Sequence, residues 1–119
     1  MANIHQSLET LLSIDGATAA AIVDANSGMV LGKAGTGVDL DVAGAGNTEV
    51  VRAKLKTMRA LGLKDSIEDI LITLGKQYHI IRPMSEKAGV FAYVVLDKNK
   101  ANLALSRLKT AEVEAQLSL

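Results

Sequence analysis

Between Gly16 and Gly35 the chain reads GATAAAIVDANSGMVLGKAG, and this stretch predicts one β-hairpin. Ala19 to Val23 form an apolar strand of small residues, Asp24 to Gly28 supply turn formers, and Met29 to Lys33 bring the chain back. A short amphipathic segment precedes the hairpin and a longer one follows it. Helix, hairpin, helix and then further strands is an uncommon order for 119 residues, a length that suits one domain, 1–119.

The flanking segments complete the pattern. Ile4, Leu8, Leu11 and Leu12 share one helical face, with Asn3 as its cap and Gly16 as its stop. Thr36 to Gly46 is glycine-rich and reads as a loop. A second helix is predicted from Asn47 to Leu61, capped by Asn47 or Thr48, with Val51, Leu55, Met58 and Leu61 as one stripe and Gly62 as its end. Ala43 to Gly46 are a possible N-terminal extension. Ile67 to Leu74 is a dense apolar run closed by Gly75 and reads as a strand. Gln77 to Arg82 is the next strand, ended by Pro83, and Ser85 to Gly89 turn the chain into a fifth strand, Val90 to Leu96. Asp97 or Asn99 caps a last helix whose apolar face is Ala101, Ala104, Leu105, Leu108, Ala111 and Ala115. The order is α-β-β-α-β-β-β-α. Every direct strand connection is a hairpin, so the class is α+β with a largely antiparallel sheet.

Composition removes several kinds of function. Thirteen basic residues balance thirteen acidic ones, so no field favours nucleic acid or an anionic membrane. Tyr78, Phe91 and Tyr93 are the only aromatic residues, too few for base-stacking platforms. No cysteine is present, which excludes disulfides, thiolate metal sites and cysteine nucleophiles. The N-terminal MANIHQSLETLL lacks the features of a signal peptide, and no apolar run approaches the ~20 residues that span a bilayer. The expectation is a soluble cytoplasmic domain with no membrane insertion.

Side chains able to do chemistry do not converge. His5 and His79 are too few and too far apart for a zinc site, and read as surface or edge histidines. Asp24-x-Asn26-x-Gly28 begins like a calcium loop but reaches Gly35 where a glutamate is needed. Gly32-Lys33-Ala34-Gly35 has the wrong order for a phosphate loop, and Gly44-Ala45-Gly46 lacks a preceding strand and a third glycine. No serine, Ser85 among them, lies in a Gly-x-Ser-x-Gly elbow. Asp39/Asp41 and Glu68/Asp69 read as loop or element-entrance residues. The expectation is therefore no catalytic residue, no cofactor and no metal.

Several motifs in this order resemble the roadblock family: Ile14-Asp15-Gly16-Ala17, Ala20-Ala21-Ile22-Val23-Asp24, Gly28-Met29-Val30-Leu31, Ile70-Leu71-Ile72 with Gly75, Tyr78-His79-Ile80-Ile81-Arg82-Pro83, and Val94-Val95-Leu96-Asp97 before Asn102. That family comprises dynein light chains, scaffold subunits on lysosomal membranes, and bacterial regulators of Ras-like small GTPases. The resemblance covers about Ile4 to Ala115. It implies a profilin-like five-stranded sheet of order 2-1-5-4-3, with the first and last helices on one face and the middle helix on the other. It also implies a non-enzymatic homodimer that binds and regulates, or scaffolds, a Ras-like GTPase in a bacterial cytoplasm.

With that order, strands 2 and 3 are the sheet edges. Gly32, Lys33 and Gly35 blunt the second strand, whereas Ile70 to Leu74 carries neither lysine nor proline and is open to pairing. The resemblance places the dimer interface on Val51, Leu55, Met58, Ile70, Leu71, Ile72 and Leu74. Plain core packing within one subunit is the other reading of the helix stripe. Arg52, Lys56 and Arg59 form a basic stripe beside it, either a solvated face or a dock for an acidic partner such as a GTPase switch region. The runner-up function is a small-molecule sensor of profilin-like or PAS-like architecture.

Overall fold

The computed structural model describes residues 1–84 and 89–119. The turn expected from Ser85 lies outside the described residues except for Gly89. Helix α1 spans Ile4–Leu12, strands β1 and β2 span Ala17–Asp24 and Val30–Gly35, and helix α2 spans Leu40–Ala60. Strands β3, β4 and β5 follow at Ile70–Thr73, Gln77–Pro83 and Val90–Asp97, and helix α3 closes at Leu103–Gln116. The five strands form one antiparallel sheet in the order β2-β1-β5-β4-β3.

Strands β1 and β5 lie at the centre and are buried on both faces. Alternate side chains therefore feed two cores. Ala20, Ile22, Ile80, Val94 and Leu96 meet Leu8 and Leu11 of α1 and Val113 of α3. Ala19, Ala21, Val23, Ile81, Phe91, Tyr93 and Val95 meet Leu40 and Val51 of α2. Alanine at three successive positions of β1 lets helices approach from either side. Gly32 serves the same purpose on β2, where an added Cβ would lie 2.5 Å from Ile4 Cγ2.

The first helix is capped as its sequence predicts. Asn3 Oδ1 accepts from Gln6 N at 2.8 Å, and Gln6 Oε1 accepts from Asn3 N at 3.0 Å, a reciprocal capping box. Immediately before this cap Ala2 pairs in parallel with Leu117: Ala2 N donates to Gln116 O at 2.8 Å and Ser118 N to Ala2 O at 2.7 Å.

Helix α2 starts well before the predicted Asn47. Asp39 is its cap and accepts from the amides of Asp41 and Val42. The glycines between Leu40 and Asn47 are helical, and Gly44 permits close packing: a Cβ there would lie 2.7 Å from Val30 Cγ2. Thr48 is then an interior residue whose hydroxyl donates to Gly44 O at 2.7 Å. The predicted β3 is likewise trimmed, because 67–69 approach the sheet before pairing begins at Ile70.

Helix α3 departs furthest from expectation. Asn102, rather than Asp97 or Asn99, caps it by accepting from Leu105 N at 3.0 Å. Its buried side is Ser106, Thr110, Val113 and Glu114, while Ala104, Leu105, Leu108 and Ala115 face solvent. The inward hydroxyls make this possible: Ser106 donates to Asn102 O and Thr110 to Ser106 O, each at 2.8 Å. A hydroxyl bonded to its own helix brings no unsatisfied polar group into the core.

Candidate functional site

The two sheet edges differ in kind. On β2, α1 packs against Gly32, and Lys33 Nζ lies 2.7 Å from Asp41 Oδ2 of α2. Asp41 raises the Lys33 pKa by hydrogen bonding and by its charge. Both β2 and β3 are terminal strands, so the outer backbone row of each has no strand beside it among the described residues, but β3 carries no lysine to blunt it. The faces of β3 alternate: Ile70 and Ile72 join the α2-side core at its margin, whereas Leu71 projects to the opposite face and is partly exposed. Leu74 lies beyond the strand, in the turn, where its amide donates to Gln77 O at 2.8 Å.

Helix α2 reaches toward this edge. Val51 and Met58 are buried, but Leu55, which lies in line with them, is 37% exposed and Leu61 is 65% exposed. The predicted stripe is thus half core and half surface. In the N-terminal part of the helix Gly44 sits close to Val23 of β1 and Val30 of β2, and the exposed Leu55 and Leu61 lie in its later turns and at its end. On one flank, Val50, Lys54 and Met58 form a groove of about 490 Å³ with Leu63, Ile67 and Ile70. Sequence reading missed Val50, Leu63 and Ile67 because none belongs to the main helical stripe.

The other flank carries Arg52, Lys56 and Arg59. Arg52 is occupied within the subunit: its guanidinium donates to Asn26 O in the β1–β2 turn and lies 3.7 Å from Glu49. Lys56 and Arg59 are exposed, and neither forms an ion pair with another described residue.

His79 is built into the α2 side of the sheet. The Tyr93 hydroxyl lies 3.0 Å from His79 Nδ1, and His79 Nε2 lies 2.8 Å from Gln77 Oε1. A neutral ring with its proton on Nε2 satisfies both bonds. Burial lowers the His79 pKa below its ordinary 6.5 and raises that of Tyr93 above 10.0, the latter against a smaller opposing effect from Asn47. This ring is a structural bridge between β4 and β5, more engaged than a surface histidine. Among the described residues, no group of three or more histidine or acidic side chains is placed to hold a metal, and no helix is long and apolar enough to cross a membrane.

No family model matches the chain, and no curated protein matches it by sequence. Solved structures do match. A Roadblock/LC7 domain from Streptomyces avermitilis superposes with a TM-score of 0.82 at 13% identity, over 96% of this chain and 93% of that one. MglB of Myxococcus xanthus gives 0.81 at 18% identity, over 94% and 89%. The gliding protein MglB of Thermus thermophilus gives 0.80 at 18%, over 93% and 82%. The chain has the α-β-β-α-β-β-β-α order and the sheet order expected, with α1 and α3 on one face and α2 on the other, and it has the roadblock fold.

Proposed function

We propose that this chain is a non-enzymatic module that pairs with a second copy of itself and, as a pair, binds and regulates or scaffolds a Ras-like small GTPase in the cytoplasm. The observation that carries the reading is the contrast between a β2 edge that carries Gly32, Lys33 and Gly35 and an apolar β3 edge without lysine or proline, beside the partly exposed later turns of α2. In a two-fold pair β3 meets its symmetry mate, and Leu55, Ile70, Leu71 and Ile72 supply the apolar contacts above the core residues Val51 and Met58, with Leu74 at the rim. Pairing removes the aggregation hazard that a free apolar edge carries.

Lys56 and Arg59 then face outward and suit an acidic switch surface, while Arg52 braces the turn behind them. The partner's own residues carry any hydrolysis, and this module acts by shaping them. The GTPase partner rests on the roadblock resemblance and on the fold shared with MglB.

Two measurements test this reading. Sedimentation should find a pair at micromolar concentration, and a 12.5 kDa monomer sinks the pairing. A pull-down from the native host, with GTP and GDP compared, should retain a Ras-like protein in one nucleotide state; retention of none sinks the partner.

A small-molecule sensor is the second reading. It draws on a groove of about 360 Å³ between α1 and α3 whose lining includes Ser7, a buried hydroxyl with no partner among the described residues. Native mass spectrometry of the purified protein should then show a bound small molecule, and a mass equal to the bare chain argues against it.

A further inference from the structure

Helices α1 and α3 run antiparallel on one face of the sheet: Ala2 pairs with Leu117 at one end, and Ile14 lies with Ser106 and Lys109 at the other. The polar groups of the groove between them are graded by depth. Ser7 is 1% exposed, and its hydroxyl has no hydrogen-bond partner among the described residues. A buried hydroxyl left unmatched carries a desolvation cost, which a polar group entering the groove recovers. Lys109 and Glu112 line the same groove from exposed positions of α3. Three residues apart, they are neighbours on one helix face. Neither has an ion-pair partner among the described residues.

The α1 wall adds a preference for donors. The Thr10 hydroxyl donates to Gln6 O at 3.0 Å and that of Ser13 to Thr10 O at 2.6 Å. Only their oxygen lone pairs remain for a ligand, which suits an ammonium group. Ile14 and Val113 supply apolar surface, and no aromatic residue lines the groove among the described residues.

We infer, building on the small-molecule reading of this groove, that its ligand is a free α-amino acid with a short, uncharged, hydrogen-bonding side chain. Its carboxylate meets Lys109 and its ammonium meets Glu112, both at the rim where water still reaches them. Its amide or hydroxyl descends to Ser7. A charge at that depth would lack a counter-ion, so the side chain is neutral. One lysine beside one carboxylate gives a phosphate no net attraction, and a nucleobase finds no ring to stack on. The groove lies on the face opposite α2, so the site does not depend on the β3 edge.

Calorimetry of the full chain should show saturable binding of at least one of glutamine, asparagine, serine and threonine. Leucine, which leaves Ser7 unmatched, should bind about fivefold weaker than the best of them. Ser7→Ala should weaken that ligand about fivefold without lowering the urea midpoint, because the substitution removes an unmatched hydroxyl. A lowered midpoint with unchanged binding makes Ser7 structural and overturns the inference. Glu112→Gln should weaken the amino acid about tenfold and leave its N-acetyl derivative, which has no ammonium, bound no more weakly than before. Equal losses for the two forms overturn the inference, as does leucine bound as tightly as the polar amino acids, or no binding of any of the four. Native mass spectrometry of the chain after incubation with a cell extract of small molecules separates the two failures. A bound mass of other chemistry overturns the amino acid and keeps the small-molecule reading, whereas a bare chain ends both.

Discussion

Arg107 of α3 grips Asp69, just before β3, through two parallel hydrogen bonds, 2.8 Å from Nε and 2.9 Å from Nη2. The Asp69 carboxylate is almost wholly covered, and its hydrogen bond and charge raise the Arg107 pKa. This fork fixes where the chain joins the sheet edge. Arg107→Met should leave a covered carboxylate unmatched and free the start of β3. Amide hydrogen exchange at Ile70 to Thr73 should speed while β1 and β5 keep their protection; unchanged β3 exchange would deny the fork that role.

Arg52 and its two companions should separate in mutagenesis. Arg52→Ala removes the donor to Asn26 O and should cost about 1 kcal/mol in urea unfolding. Lys56→Glu with Arg59→Glu should leave the unfolding free energy within about 0.5 kcal/mol and weaken partner binding instead. Binding by the charge-reversed variant at parental affinity would return these two residues to an ordinary solvated face.

Two glycines of one helix should respond in opposite directions. A Cβ at Gly44 lies 2.7 Å from Val30 Cγ2, whereas a Cβ at Gly46 meets nothing within 4 Å. Gly46→Ala should stabilise by about 0.5–1 kcal/mol through helix propensity. Gly44→Ala gains the same preference but must displace β2, so it should fall below Gly46→Ala by about 1–3 kcal/mol. Equal effects in chemical denaturation would mean that α2 does not sit as close to β2 as this contact requires.

Stability should also depend on pH through His79. Its folded pKa lies below the ordinary 6.5, so at intermediate pH the unfolded chain holds the proton more tightly. The contribution is complete above about pH 6.5 and is lost as pH falls toward the lowered folded value. Tyr93 and Gln77 are the groups that bond the ring, and the Asp24 carboxylate, its pKa lowered chiefly by the Asn26 amide, titrates below this range. His79→Gln should flatten the denaturation midpoint between about pH 7 and pH 5. Tyr93→Phe should cost about 1 kcal/mol at neutral pH.

The strands were legible because their apolar runs are short and punctuated by Gly16, Gly28, Gly75 and Pro83, and hairpin connections left little choice of direction. The resemblance then supplied the sheet order. The start of α2 was hidden because glycine signals a loop unless a neighbouring strand needs the space, and Gly44 is read correctly only beside Val30. The α3 face was inverted for a related reason. Periodicity counts Leu105 and Leu108 as core and Ser106 and Thr110 as surface. A hydroxyl bonded four residues back behaves as a small apolar group, and the spacing Asn102, Ser106, Thr110 was the signal available. The β3 edge followed from the sheet order that the resemblance implied. Its flanking groove was not legible, since Val50, Leu63 and Ile67 come together only once the chain has turned after Gly62.

The bridge between Ala2 and Leu117 places the beginning and the end of the fold side by side. A segment fused to either terminus therefore leaves from the same corner. The same adjacency makes the fold a candidate for circular permutation. A short linker joining the termini, with new ends opened at the exposed Gly62, should preserve the sheet while moving the fusion point to the groove beside α2.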